Sequence, residues 1–199
     1  MKLYFAPASP YSRKVRAAAV ELGLTDKIEL LLQLPRDNAK GFFSVNPLAR
    51  IPVLETDDGV VLFDSPVICE YLDSLSRAPL CPASGPQRFT VLKRQAIGDG
   101  LLDNLVPLRG ELMRPKEQQS PDFIARAYAT VDRTLQVLDR ENSARGGDRP
   151  SIGDIAIGCA LAYLDFRFAD HPWRDANPQL AAWFQALSAR PCFSETPPA

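Results

Sequence analysis

Between Ser76 and Pro86 the chain reads Ser-Arg-Ala-Pro-Leu-Cys-Pro-Ala-Ser-Gly-Pro, three prolines and a glycine in eleven residues. Prolines at that density fix φ and remove backbone donors, so neither a helix interior nor a central strand can run through the segment. The residues on its two sides have different periods. Before it, short β-like pieces alternate with helical ones; after it, only the 3.6-residue period is convincing. The chain is therefore read as two domains, 1–76 and 87–199, joined by a linker at 77–86. The first is α/β and the second all-α.

In the first part, Lys2–Phe5 reads as a strand and Pro10–Leu22 as a helix. Val15, Ala18, Ala19 and Leu22 share one face of that helix, and Gly23 is placed to end it. Lys27–Leu32 reads as a second strand, followed by a polar loop to Asn46-Pro47. Two further short strands, 52–55 and 60–63, flank Asp57-Asp58-Gly59, a strong hairpin signal. A helix then opens at Asp64-Ser65-Pro66, with Ser65 as its cap and Pro66 at the first helical position. The order is β-α-β, loop, β-β-α. Beyond the linker, helical patterns cover roughly 87–113, 121–141, 153–168 and 178–189. Ser151-Ile152-Gly153-Asp154 has capping-box spacing, with Asp in place of Glu. The proline-rich tail 191–199 reads as irregular.

A net charge of -1 gives no long-range pull toward nucleic acid or anionic membrane. The best apolar run, Ile155 to Leu164, is half a membrane span and is bounded by Asp154 and Asp165. Proline at position 7 comes too soon for a signal-peptide core, so the expectation is a soluble cytoplasmic protein. Cys69, Cys81, Cys159 and Cys192 lie far apart, and His171 is the single histidine. That set speaks against a zinc site or a Ser-His-Asp triad, and no metal is expected.

The chemistry concentrates in 9–12, Ser-Pro-Tyr-Ser, between the first strand and the first helix. A helix N-terminus attracts anions through its free N–H groups and its dipole. It also lowers a thiol pKa, and a thioredoxin-like redox protein carries Cys-x-x-Cys at such a place. Serine stands here at both cysteine positions, so the frame suits a thiol that belongs to a ligand. Ile51-Pro52 precedes a strand. A cis bond there would leave the Ile51 backbone able to pair with a peptide ligand, although only about one X-Pro bond in twenty is cis. Asp64 and Ser65 form a second candidate anion site, fitted to the α-amino acid end of a ligand; simple capping by Ser65 is the alternative.

Together these segments resemble the cytosolic glutathione transferases. Residues 9–16 (Ser-Pro-Tyr-Ser-Arg-Lys-Val-Arg), 46–54 (Asn-Pro-Leu-Ala-Arg-Ile-Pro-Val-Leu) and 64–68 (Asp-Ser-Pro-Val-Ile) look like that family's three N-terminal signatures, in order. Residues 149–155 look like its helix-capping motif in the C-terminal half. The N-terminal motif is similar to that of the serine-type theta, zeta and omega classes. The resemblance implies a thioredoxin-like glutathione domain, a cis Ile51-Pro52 bond, an all-helical second domain and a homodimer. Glutathione is the implied co-substrate, with a small electrophile as second substrate. By position, Ser9 matches the serine that hydrogen-bonds the glutathione sulfur, and Ile51 the residue whose backbone pairs with the cysteinyl part. Asp64 and Ser65 match the pair on the γ-glutamyl end. Arg50 stands where many relatives have lysine or glutamine near the glycine carboxylate.

Tyr4 and Ser12 are rivals to Ser9, with packing and capping as their respective alternatives, and Arg13 is either a helper of the thiolate or a solvated cation. An acceptor pocket is expected between the domains, with Pro7, Ala8 and Tyr11 on one wall and Leu102, Val106, Arg109 and Met113 on the other. A core role for the apolar members and a surface role for Arg109 stay open. Asp99 and Asp103 can reach a glutathione amino group across a dimer interface or simply be solvated. The resemblance implies conjugation of glutathione to a small electrophile, as in detoxification. Glutathione-dependent isomerisation, dehalogenation or peroxide reduction, and a non-catalytic protein-binding module, are the alternatives.

Overall fold

The computed structural model describes residues 1–34, 37–38, 41–142 and 149–199. They gather into two compact units, Met1–Phe89 with Pro191–Ala199, and Thr90–Arg190. In chain order the elements are β1 (Lys2–Phe5), α1 (Pro10–Glu21), β2 (Glu29–Leu32), α2 (Phe42–Val45), β3 (Val53–Glu55), β4 (Val61–Leu62), α3 (Ser65–Ser74), α4 (Pro86–Leu112), α5 (Pro121–Asn142), α6 (Ile152–Arg167), α7 (Trp173–Ala176), α8 (Pro178–Ser188) and α9 (Pro191–Ser194).

The first unit is built on a four-stranded mixed sheet in the order β2-β1-β3-β4. β1 and β2 are parallel, as a β-α-β crossover requires, and β3 and β4 are the antiparallel arms of the hairpin. Leu3 and Leu54, paired across β1 and β3, are fully buried. The stripe read from the sequence covers that layer: Val15 and Ala18 on α1 are 0% exposed, and Ile68 and Leu72 on α3 join them. Leu24 N–H donates to Ala19 O and Gly23 N–H to Val20 O, the paired bonds that close a helix around a left-handed residue, and Gly23 has φ 68°.

The departures from the sequence reading are local. Residues 25–27 form a 3-10 turn, so β2 starts at Glu29. The polar loop contains α2, because Phe42 buries its ring with Ala6, Ile51 and Val53. The tail expected to be irregular contains α9, whose Cys192 and Phe193 are buried. These nine residues belong to the first unit, where α9 packs against α1.

In the second unit α6 is buried along most of its length, from Ile152 to Leu164. A Cβ at Gly98 of α4 would lie 2.5 Å from the Ala156 backbone carbon, so α4 and α6 meet where only glycine fits. Among the described residues no helix is long and apolar enough to cross a membrane, and no group of three or more His, Cys, Asp or Glu forms a metal cluster. The four cysteines are all buried and none forms a disulfide.

Candidate functional site

The sheet register brings the sequence-marked segments to one edge. Tyr4 pairs with Val53 and Leu54 with Leu62, so the end of β1, the start of β3 and the end of β4 lie side by side. Ala6, Ile51 and Val53 form one apolar cluster there, with Tyr4, Val45 and Phe63 packed against it. Ser9, Ile51 and Asp64 each follow or precede a member of this cluster by at most three residues or belong to it.

Ser9 is the N-cap of α1, with φ -81° and ψ 118°, and Pro10 takes the first helical position. Its Oγ accepts from the Ser12 N–H at 3.2 Å. Its own N–H goes to Ala6 O at 3.0 Å, and its carbonyl accepts from Arg13 N–H at 2.9 Å. The backbone of Ser9 is therefore spent on the fold, and one lone pair of its hydroxyl is spent on the cap. The hydroxyl proton has no acceptor among the described residues, and the side chain is half-buried. The frame thus offers less backbone N–H than a bare helix start: Pro10 has none, and the N–H groups of Ser12 and Arg13 are committed. The Ser9 O–H, on the positive end of α1, is a donor that an anion can take.

The other residues near Ser9 resolve differently from the sequence reading. Ser12 does not cap with its side chain; it is fully buried and its hydroxyl has no hydrogen-bond partner, the cap bond being made by its backbone. Arg13 is not a solvated cation. It is 7% exposed, donates from Nη2 to Phe193 O at 3.2 Å, and sits 5.1 Å from the Phe193 ring centroid. Tyr4 packs its ring 5.7 Å from that of Phe42 and donates its hydroxyl to Glu55 at 3.4 Å. Burial first, and the Glu55 carboxylate second, push its phenol pKa up, so it remains protonated.

On the second segment the Ile51-Pro52 bond is cis. The β1–β3 ladder begins at Val53, which leaves Ile51 ahead of it. Asn46, which the sequence reading passed over, organises the approach. It is 1% exposed, donates from Nδ2 to Arg50 O at 2.8 Å, and accepts from Leu48 N–H at 3.0 Å. Its carbonyl accepts from Ala49 N–H at 2.9 Å, and Ala49 is left-handed at φ 52°. The available signal was Asn before Pro, since Asn folds its amide back onto nearby backbone in turns. The Arg50 side chain is exposed.

On the third segment the Phe63-Asp64 bond is also cis. The cap position is one residue earlier than expected: Asp64 is the N-cap of α3, Ser65 its first helical residue and Pro66 the second. Asp64 makes no side-chain capping bond and its side chain is exposed, while Ser65 is 2% exposed. An exposed carboxylate beside a helix start matches an ammonium–carboxylate pair in a ligand. The three segments thus present an O–H, a backbone residue ahead of the ladder and an exposed carboxylate.

The acceptor-side residues are placed on their own elements. Ala8 and Tyr11 flank Ser9 and are half-buried, as are Val106 and Arg109 on α4. Leu102 is fully buried, and Met113 is 70% exposed. Asp99 is half-buried and Asp103 exposed. A cleft of about 510 Å³ lies at the other end of β1, lined by Met1, Lys27, Glu29, Glu55 and Asp57 among others, and includes none of the sequence-marked site residues.

Comparison with known proteins is consistent on family. Residues 8–75 match the glutathione S-transferase N-terminal domain and residues 121–186 its C-terminal domain. The chain is 35% identical to the uncharacterized GST-like protein YibF of Escherichia coli strain K12, covering 100% of this chain and 98% of that one. It is 28% identical to a maleylacetoacetate isomerase of Pseudomonas aeruginosa, over 100% of this chain and 96% of the other. A glutathione transferase family member of Pseudomonas fluorescens Pf-5 with bound glutathione superposes with a TM-score of 0.91 at 36% identity, over 100% of this chain and 98% of that one. The same target with bound S-(propanoic acid)-glutathione gives 0.87 at 37% identity, with both chains fully covered.

Proposed function

This chain belongs to the glutathione S-transferase family, and on that footing we propose that it joins the glutathione thiolate to a small electrophile, with Ser9 as the residue that holds the sulfur. The supporting observation is the unspent Ser9 proton. The cap bond from Ser12 engages one lone pair of the oxygen, and the O–H can rotate to meet a ligand. A hydroxyl bond to an anion is worth about 1.5–3 kcal/mol, and a helix N-terminus about 0.3–2 kcal/mol. A free thiol near pKa 8.5 is about 3% thiolate at pH 7, and lowering that pKa by about two units takes roughly 2.7 kcal/mol. The two effects reach that scale without a general base. Asp64 and Ser65 take the γ-glutamyl end, Ile51 offers its backbone to the cysteinyl part, and Arg50 attracts the glycine carboxylate. Ala8, Tyr11, Val106 and Arg109 are the acceptor-side residues of this reading, while Leu102, fully buried, takes the core role instead. A homodimer and a cytoplasmic location belong to the same proposal.

A relative that holds a glutathione thioether supports conjugation. The likeness to an isomerase supports a second reading, in which the thiolate adds and leaves again. Conjugation consumes one thiol per turnover and isomerisation consumes none, so thiol titration separates them. The first experiment is calorimetric titration with reduced glutathione and with S-methylglutathione. Binding of the first with proton release near pH 7, and of the second without it, is the expected result. No binding of either overturns the proposal and turns attention to a protein-binding role.

A further inference from the structure

Residues 191–196 return to the first unit after the whole second unit has been traversed, and they end on α1 one turn from Ser9. Cys192, Phe193 and Thr196 are each no more than 2% exposed, and Thr196 Oγ1 donates to Cys192 O at 2.6 Å, so the short helix is a folded hook. What it grips is Arg13: Phe193 supplies a carbonyl to Nη2 and a ring face to the guanidinium. Arg13 in turn donates its N–H to the Ser9 carbonyl at 2.9 Å. The grip therefore holds a buried cation one helical turn from Ser9 along α1.

The placement runs against helix preferences. Cations near a helix N-terminus oppose the dipole, yet α1 carries Arg13, Lys14 and Arg16 in its first two turns and no acid in the first. Arg16 is held below the usual arginine range by burial and then by repulsion from Arg13. An anion seated at Ser9 relieves that field. We propose that the C-terminal hook is a positioning element of the sulfur site, holding Arg13 where its charge favours the bound thiolate. This rests on the reading of Ser9 as the sulfur's partner. Arg13 acts through the field and through Ser9 and is a positioning residue. The other charged residues are Lys14, Arg16 and Glu21 on α1, Asp64 at the N-cap of α3 and Glu195 after α9, and they stay the same in every variant.

The test compares Arg13→Met, Arg13→Lys and Phe193→Leu in the full chain, reading thiolate ultraviolet absorbance of bound glutathione at pH 7 together with kcat and KM. Arg13→Met is expected to cut the thiolate fraction and kcat about threefold or more, with KM for glutathione within about twofold. Phe193→Leu keeps the bulk and loses the ring, and is expected to move the same way by less. Arg13→Lys keeps the charge and is expected to recover part of the loss. A purely structural role would lower thermal stability in all three variants and leave the thiolate fraction of the bound ligand unchanged, and that result overturns the proposal. If the unmodified protein forms thiolate with glutathione but the variants match it, only the hook fails. If the unmodified protein binds no glutathione, the proposed function fails with it.

Discussion

The helices α1 and α6 begin with the same bond and differ in the residue that makes it. Ser9 accepts from the N–H of Ser12 at 3.2 Å, and Ser151 accepts from the N–H of Asp154 at 3.2 Å. At α6 the third helical residue is an acid, and its carboxylate reaches back to the Ser151 N–H at 2.9 Å and takes the Ser151 hydroxyl proton at 2.7 Å. Arg94, 1% exposed, then closes on the same carboxylate at 3.0 Å. The Ser151 hydroxyl and the Asp154 carboxylate are both spent inside the protein. At α1 the third residue is Ser12, which returns no bond, and the Ser9 proton is left over. One residue type at one position thus separates a cap that only stabilises from a cap that can also bind. An acid at the start of α1 would satisfy the serine and repel the thiolate in one stroke.

Substitutions at the two caps should have effects of different kinds. The largest is expected at the closed one. Asp154→Ala removes the capping carboxylate and takes from the buried Arg94 the nearer of its two carboxylates, leaving Glu141 at 3.6 Å, and should cost about 3 kcal/mol in denaturant unfolding. A cost near that of an ordinary surface change would mean that the closed cap carries little weight. Next comes Ser9→Ala, which should lose about 1.5–3 kcal/mol of transition-state stabilisation, a drop of roughly tenfold to a hundredfold in kcat/KM. Its KM for glutathione should hold within a few-fold, and its stability should fall by about 1 kcal/mol through the lost cap. Wild-type turnover in that variant would remove Ser9 from the chemistry. The smallest effect belongs to Ser12→Ala. Deleting an unpartnered buried hydroxyl should leave activity intact and stability unchanged or higher by up to about 1 kcal/mol. A large activity loss there would show that the two serines work as a pair.

These differences also mark how far the sequence could be read. The α1 stripe of Val15, Ala18 and Ala19, the Gly23 stop, the Asp57-Asp58-Gly59 hairpin and the Ser151–Asp154 box are local patterns, and each formed where the residues indicated. The cis bond at Ile51-Pro52 came from the family likeness; base rates for the dipeptide pointed the other way. Asn46 was missed because its bonds reach only to Leu48, Ala49 and Arg50 and look, in a bare sequence, like any polar loop. Arg13 was left open between a helper and a solvated cation for the opposite reason. Its partner Phe193 lies 180 residues away, beyond the reach of any periodicity argument. The cap of α3 slipped by one residue because Asp and Ser both favour that position and stand side by side.

The contact between Arg13 and Phe193 has a consequence in time. A chain is made from its N-terminus, so the strand, loop and helix that carry Ser9 emerge near the beginning of synthesis. Their latch is translated only after the entire helical unit has been made. A chain interrupted anywhere in residues 90–190 would carry Ser9, Ile51, Asp64 and Ser65 and still lack the hook that packs on α1. Burial of Arg13 against Phe193 therefore waits until translation has gone past residue 193.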